Sequence, residues 1–395
     1  MWAPQRLTSC LCFSSTTEVA NEVHTPCVEA RIVHESTGGT VVDWTLAQPG
    51  ATSAATVDTS GSWSINLKAP AGGLYRLETR LRLGSNPAGE WSPRGDMRHF
   101  LGVGDVWVIT GQSNSAGYGR GPYEDPPELG VHLFKNDESW GLATHPMNES
   151  TDTKHVVNRE GANPGHSPYL HFGRLLQRAL GHPIGLIATS LGGSPLSMWD
   201  PTDGSDAVLY DNMLHCIRQA GVGGNVRGVL WYQGESDTGT DALTSSYAAR
   251  FGKALAAWRD ALNPDLLAVT VQLNRTMGVG NPDQNRRWTQ LREQQRLAAA
   301  VDNAVAIVPS FDCSLTDGIH NSPAGNMVLG DRMANAALSL CCSTRFATVV
   351  SAPEPSGPAS YDQSSDIVTL HFESVTSRIG TIDPTANPFV VEDQL

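Results

Sequence analysis

Four short segments of this chain carry groups that can do chemistry together. Gly111-Gln112-Ser113-Asn114 sets a hydroxyl in a glycine-containing turn, and Leu191-Gly192-Gly193-Ser194 offers backbone amides unshielded by a Cβ. Gln233-Gly234-Glu235-Ser236-Asp237 sets a side-chain amide ahead of two carboxylates, and Asp317-Gly318-Ile319-His320 places a carboxylate just before an imidazole. A serine hydroxyl is a poor nucleophile at neutral pH and needs a base within hydrogen-bond reach. His320 can be that base, because an unperturbed imidazole titrates near pH ~6.5. Asp317, on the same turn, can hold the ring's tautomer and stabilise the imidazolium. Attack on a carbonyl leaves an oxyanion that wants donors ~3 Å away. The N–H of Ser113, that of Gly192 or Gly193, and the Gln233 amide are the candidates, with the choice between the two glycines open. The chemistry is acyl transfer, with Ser113, Asp317 and His320 as its catalytic groups.

Each of these residues has a plainer reading. Ser113 can cap a following helix, and Asp317 to His320 can be a surface turn before Pro323. Glu235 and Asp237 suggest a two-carboxylate glycosidase, but bracing the Gln233 loop is the reading taken. Trp199, Tyr118, Tyr123, Trp140 and Tyr232 can show faces to sugar rings or simply pack. Trp199, which trails the second segment, and Asn114 are the candidates for substrate contact. His166 reads as structural. The sequence contains neither C-x-x-C nor H-E-x-x-H, so neither a metal nor an organic cofactor is expected. The lipase elbow G-x-S-x-G is absent too, which argues against an ordinary α/β-hydrolase.

These segments need strands to carry them. Compact apolar runs over 105–110, 184–190, 226–232, 266–273 and 304–309 alternate with helical patterns over 210–219, 245–260, 284–301 and 323–340. Another helix is expected from Pro168, capped by Ser167, with Phe172, Leu175, Leu176, Ala179 and Leu180 on one face and Gly181 as its stop. Continuous apolar strands separated by helices mean a parallel sheet covered on both faces. Such sheets bind ligands beyond the carboxyl ends of their strands, which is where the chemically loaded segments fall. The stretch from Tyr118 to Gly165 has little regular pattern, and a loop of that length can shape a substrate groove.

The expected organisation is a disordered leader over 1–23, a β-sandwich-like module over 24–100, the catalytic domain over 101–345, and a C-terminal β segment over 346–395. The two outer modules show short β-type runs punctuated by turn residues. The last piece is short for an independent module.

Taken together, the motifs resemble those of the SGNH-hydrolase superfamily, in its branch of sialate O-acetylesterases and acetylxylan-type carbohydrate esterases. The resemblance rests on G-Q-S-N at Gly111–Asn114, G-G-S followed by Trp199, W-Y-Q-G-E-S-D at Trp231–Asp237, and D-G-I-H at Asp317–His320, across roughly residues 102 to 340. It implies a three-layer, flavodoxin-like α/β core. It also implies a Ser113–His320–Asp317 triad, and an oxyanion hole of Ser113, a second-segment glycine and Gln233. The third-segment Asn usual in the superfamily is Gln here, as in this branch. The implied activity is removal of acetyl groups from a carbohydrate. A lipid or thioester hydrolase, and a noncatalytic carbohydrate-binding protein with a vestigial core, are the competing readings. The loops after Ser113 lack an extended apolar stretch for an acyl chain, and the intact Ser, Asp and His speak against a vestigial core.

Bulk properties narrow the partners. The 395 residues carry 27 basic and 40 acidic side chains, a formal net charge of -13. Such a surface repels phosphate backbones, so nucleic acid is not an expected partner, whereas neutral sugars are indifferent to it. The longest uncharged run, Ala179 to Trp199, is rich in Gly, Pro and Ser and reads as strand and loop rather than a membrane span. The 7 Cys do not make a disulfide scaffold; Cys341 and Cys342 can each bridge elsewhere, but small buried side chains are the reading taken. The start has no clear signal-peptide core of ~7–15 apolar residues. A secreted, periplasmic or cell-surface location is expected from the function alone.

Overall fold

The structure, a computed structural model, describes residues 13–14, 27–49, 62–82, 94–161, 164–277, 281–342 and 353–373. The chain divides into two compact units, Met1–Ser343 and Thr344–Leu395.

The first unit opens with Phe13–Ser14 (β1), Cys27–His34 (β2), Thr40–Leu46 (β3), Gln48–Pro49 (β4), Ser62–Ser64 (β5), Gly72–Arg82 (β6) and Arg94–Val103 (β7). These form two antiparallel sheets, of order β3-β2-β6-β7 and β1-β5-β4. Ala30, Ile32, Tyr75 and Leu77 alternate inward along β2 and β6 and close over Ile65, which is the period-2 signature of a half-buried sheet. Most of the expected leader lies outside the described residues, as do Cys10 and Cys12.

The α/β core follows without a break. Its strands are Asp105–Gly111 (β8), Val131–Phe134 (β9), Trp140–Leu142 (β10), Ile184–Ala188 (β11), Gly228–Tyr232 (β12), Leu267–Gln272 (β13) and Val305–Pro309 (β14). They stand in the order β10-β9-β11-β8-β12-β13-β14, all parallel except β10, which returns antiparallel beside β9. Leaving aside the β9–β10 hairpin, the order is the 2-1-3-4-5 of flavodoxin-like sheets, with its switch point between β8 and β12. The hairpin lies in the 118–165 stretch that the sequence reads as irregular; β9 is only four residues long and sits among Pro and Gly.

The helices are Ser113–Ala116 (α1), Tyr169–Leu180 (α2), Val208–Gln219 (α3), Asp241–Ser245 (α4), Tyr247–Ala261 (α5), Pro282–Ala300 (α6) and Pro323–Cys342 (α7). α2 packs on α7 and α5 on α6, and every residue of β12 is buried between the helical layers. The expected cap of α2 is corrected by the structure. Pro168 immediately precedes the helix, and the buried Ser167 Oγ has no hydrogen-bond partner. The buried stripe runs through Tyr169, Leu170, Phe172, Gly173 and Leu176, leaving Leu175, Ala179 and Leu180 half-buried, and Gly181 ends the helix in the left-handed conformation as expected.

In the second unit, Glu354–Pro355 (β15) pairs with Phe372–Glu373 (β18), and Ser360–Asp362 (β16) with Ile367–Thr369 (β17).

Candidate active site

Ser113 is held at the end of β8 by a close approach of two strands. Gly111 has φ +121°, and a Cβ there would collide with the carbonyl of Tyr232 at the end of β12. Only glycine permits both the conformation and the contact. The Gln112 N–H then bonds the same carbonyl at 3.0 Å, so the chain leaves the sheet sharply and Ser113 becomes the first residue of α1. Its own N–H is among the orphan donors of a helix N-terminus.

The structure brings Ser113, His320 and Asp317 into one hydrogen-bonded line. His320 Nε2 lies 2.9 Å from Ser113 Oγ, and His320 Nδ1 lies 2.7 Å from Asp317 Oδ2. Asp317 Oδ1 accepts the N–H groups of Ile319 at 2.9 Å and His320 at 2.8 Å, an Asx-type turn that fixes the carboxylate. Partial burial pushes the Asp317 carboxyl up, but these donors and the imidazole outweigh it and hold the group below its ordinary range. An ionised Asp317 receives Nδ1–H, which leaves Nε2 free to accept the serine proton.

Tyr118 supports the ring from one side, 5.0 Å between centroids and tilted by 31°. Its hydroxyl donates to Glu160 Oε2 at 2.8 Å, and burial, reinforced by that carboxylate, pushes the phenol up to about 12. Glu160 Oε1 in turn accepts the Gly192 N–H at 2.8 Å and the Asn148 amide at 3.2 Å. Burial raises the Glu160 carboxyl although all three donors pull it down. The sequence reading missed Glu160, because nothing around it in the irregular stretch marks it as part of a site.

Two of the expected oxyanion donors are already engaged. The Gly192 N–H is satisfied by Glu160. Gln233, fully buried, donates its amide to Asp237 Oδ2 at 2.7 Å, with the Ser194 carbonyl at 3.2 Å and Gln112 Oε1 at 3.3 Å, while its own Oε1 accepts Tyr247 Oη–H at 2.9 Å. It ties three loops together. Gly193 has φ +73° with open space where a Cβ would be, and its carbonyl accepts the Ser236 hydroxyl.

The two carboxylates of the third segment are buried braces. Asp237 accepts the Leu196 N–H and the Gln233 amide on one oxygen and the Arg250 guanidinium, at 2.7 Å, on the other. Glu235 Oε1 accepts Asn114 Nδ2 at 2.7 Å while its Oε2 has no partner. Burial pushes the Glu235 carboxyl up, against the pull of Asn114.

Two expectations about substrate contact are corrected. Asn114 is buried, giving its amide to Glu235 and to the Ile319 carbonyl at 3.1 Å and accepting the Asn321 N–H at 3.0 Å. It sews the loops after β8 and β12 to the His320 turn. Trp199 is fully buried, with Nε1 donating to Ser194 Oγ and its ring edge-on to Trp231 at 5.5 Å, so it offers no face to a sugar.

Cys216, Cys313, Cys341 and Cys342 are free thiols, and burial pushes Cys216 and Cys341 up to about 12 and Cys313 up to about 11.

A parallel sheet with its switch point at β8 and β12, and a hydroxyl–imidazole–carboxylate line at its strand ends, define an SGNH-type α/β hydrolase. The chain belongs to the carbohydrate esterase, sialic acid-specific acetylesterase family, whose model matches residues 103–339, and it is accordingly a carboxylic ester hydrolase. A probable carbohydrate esterase of Arabidopsis thaliana is 27% identical over 279 residues, 66% of this chain and 99% of that protein. The sialate O-acetylesterase of Homo sapiens is 26% identical over 200 residues, 42% of this chain and 37% of that protein. The chain thus spans well under half the length of that relative. A carbohydrate acetylesterase from Xanthomonas citri superposes with a TM-score of 0.54 at 23% identity, covering 89% of this chain and 75% of that one, and shares its fold. No described helix is long and apolar enough to cross a membrane.

Proposed function

We propose that this protein removes acetyl groups from carbohydrate hydroxyls through an acetyl-enzyme on Ser113. The observation that carries the proposal is the unbroken line from Ser113 Oγ through His320 to Asp317, at 2.9 and 2.7 Å. Ser113 Oγ attacks the ester carbonyl as His320 Nε2 takes its proton, giving a tetrahedral oxyanion beside the Ser113 N–H. Collapse breaks the carbon–oxygen bond to the sugar, and His320 returns the proton to the departing alkoxide. Water then attacks the acetyl-serine, with His320 again as base, releasing acetate and regenerating the hydroxyl.

The Gly192 N–H joins the oxyanion hole when Glu160 lets go of it. Family membership and similarity to carbohydrate esterases support the acetylated carbohydrate as substrate.

Rates on an activated acetate ester and an activated octanoate ester, for wild type and Ser113→Ala, test the reading. Acetate is expected to turn over at least about tenfold faster than octanoate, and the variant to lose the activity. Octanoate preferred over acetate, or a fully active variant, contradicts it. Acetate released from acetylated xylan and from O-acetylated sialic acid then identifies the glycan.

A further inference from the structure

Away from the serine, three side chains from separate segments converge. Glu138 stands in the turn of the β9–β10 hairpin, His155 in the loop that follows, and His215 on α3. Their ligating atoms all lie within 4.8 Å of one another. Glu138 Oε1 is 3.3 Å from His215 Nε2 and 3.8 Å from His155 Nε2. His155 is 4% exposed, and its Nε2, aimed into the cluster, has no hydrogen-bond partner. A buried imidazole nitrogen left unpaired needs an explanation, and a cation shared with the other two groups supplies one. We propose that Glu138, His155 and His215 form a zinc-class divalent metal site that clasps the hairpin turn, the 155 segment and α3.

The spacing matches that chemistry. Tetrahedral zinc with bonds of ~2.0–2.1 Å sets neighbouring ligand atoms ~3.3 Å apart and the centroids of two bound imidazoles ~5 Å apart. The His155 and His215 rings are 5.2 Å apart at an interplanar angle of 70°, and their ligating nitrogens lie within 4.8 Å of each other. His215 is 42% exposed, which gives an ion its route in and leaves room for a water as fourth ligand. Lys154 Nζ lies 3.7 Å from the other Glu138 oxygen, Oε2, and leaves Oε1 to the metal.

Glu138 and His215 are within hydrogen-bond distance of each other without an ion, but a second grouping, Asp125 with His145 and His166, lacks the spacing a metal needs. Its two rings are stacked 4.0 Å apart, too close for two imidazoles on one zinc. Both Nε2 atoms lie 3.0 Å from Asp125 Oδ2, and the Arg174 guanidinium, 2.6 Å from Oδ1, neutralises the carboxylate.

The test is calorimetric titration of EDTA-treated, dialysed protein with Zn2+ alone. One equivalent is expected to bind wild type, with affinity reduced at least tenfold in His155→Gln and in His215→Gln. A rise in melting temperature on adding zinc is expected in wild type only. Acetate release by both variants is expected to stay within about twofold of wild type in the absence of zinc, because neither residue touches Ser113 or His320. Should His155→Gln fail to fold, the half-exposed His215 carries the test alone. No uptake by wild type, uptake undiminished by the substitutions, or uptake lost in His145→Gln or Cys341→Ser but kept in His215→Gln, overturns the assignment.

Discussion

Asp317 is half exposed, yet its carboxylate is gripped by two backbone N–H groups and the His320 ring. Its role is therefore separable from folding. Asp317→Asn is expected to melt close to wild type while kcat for acetate release falls by about 10²–10⁴-fold, since an amide no longer holds the productive tautomer. Stopped assays beside thermal melts check both halves. Glu235 is the opposite case, a buried carboxyl raised above its unfolded value. A raised acid contributes its full stability below the unfolded pKa of ~4.3 and loses it as pH rises through the folded value. Glu235→Gln, neutral at every pH, is expected to gain stability relative to wild type between pH 4 and pH 8, read from urea unfolding at both. A gap that shrinks with rising pH contradicts this account of Glu235. The burial of Trp199 makes Trp199→Phe a test of whether it is core or platform. Stability is expected to fall by about 1–3 kcal/mol, with KM for an acetylated sugar within about threefold of wild type. A tenfold rise in KM without loss of stability would restore it as a sugar contact.

At the scale of elements, the strands carrying the site were legible because β8, β11, β12 and β13 are continuous apolar runs, as a doubly covered sheet requires. The positions of Gly111, Ser113 and His320 followed from that sheet. The availability of the donors did not. Whether the Gly192 N–H is free depends on Glu160, which arrives from a long loop held by amide hydrogen bonds among Asn136, Asn148 and Asn158. Such contacts have no local sequence pattern. The same stretch is anchored to α2 by Asp125. Burial raises its carboxyl, but His145, His166 and His171 outweigh this and drive it far below the usual range. A depressed acid contributes stability above the unfolded pKa of ~3.9, and that contribution is lost as pH falls below it. Asp125→Ala, which takes the shared acceptor from two buried rings and leaves Arg174 to Glu128 alone, is expected to cost about 1–3 kcal/mol at pH 7. The gap to wild type should narrow in urea titrations taken below pH ~3.9. A gap independent of pH, or below 1 kcal/mol, contradicts the hub.

Over the whole molecule, composition and order of motifs sufficed for the α/β core, while the β-rich start was only partly readable. β6 alternates cleanly between buried and half-buried residues, but β7 carries Asp96, Arg98 and His99 on an exposed stretch and shows no apolar period. Tertiary pairing with β6 makes it a strand. The account of function rests on one event at the junction of β8 and α1, transfer of an acetyl group to Ser113 Oγ. Rapid-quench mass spectrometry of protein mixed with an activated acetate ester observes that event. One acetyl group is expected on the peptide containing Ser113, appearing before steady state and absent from Ser113→Ala. Full turnover with no acetylated Ser113 at any time, or turnover that survives Ser113→Ala, would contradict it.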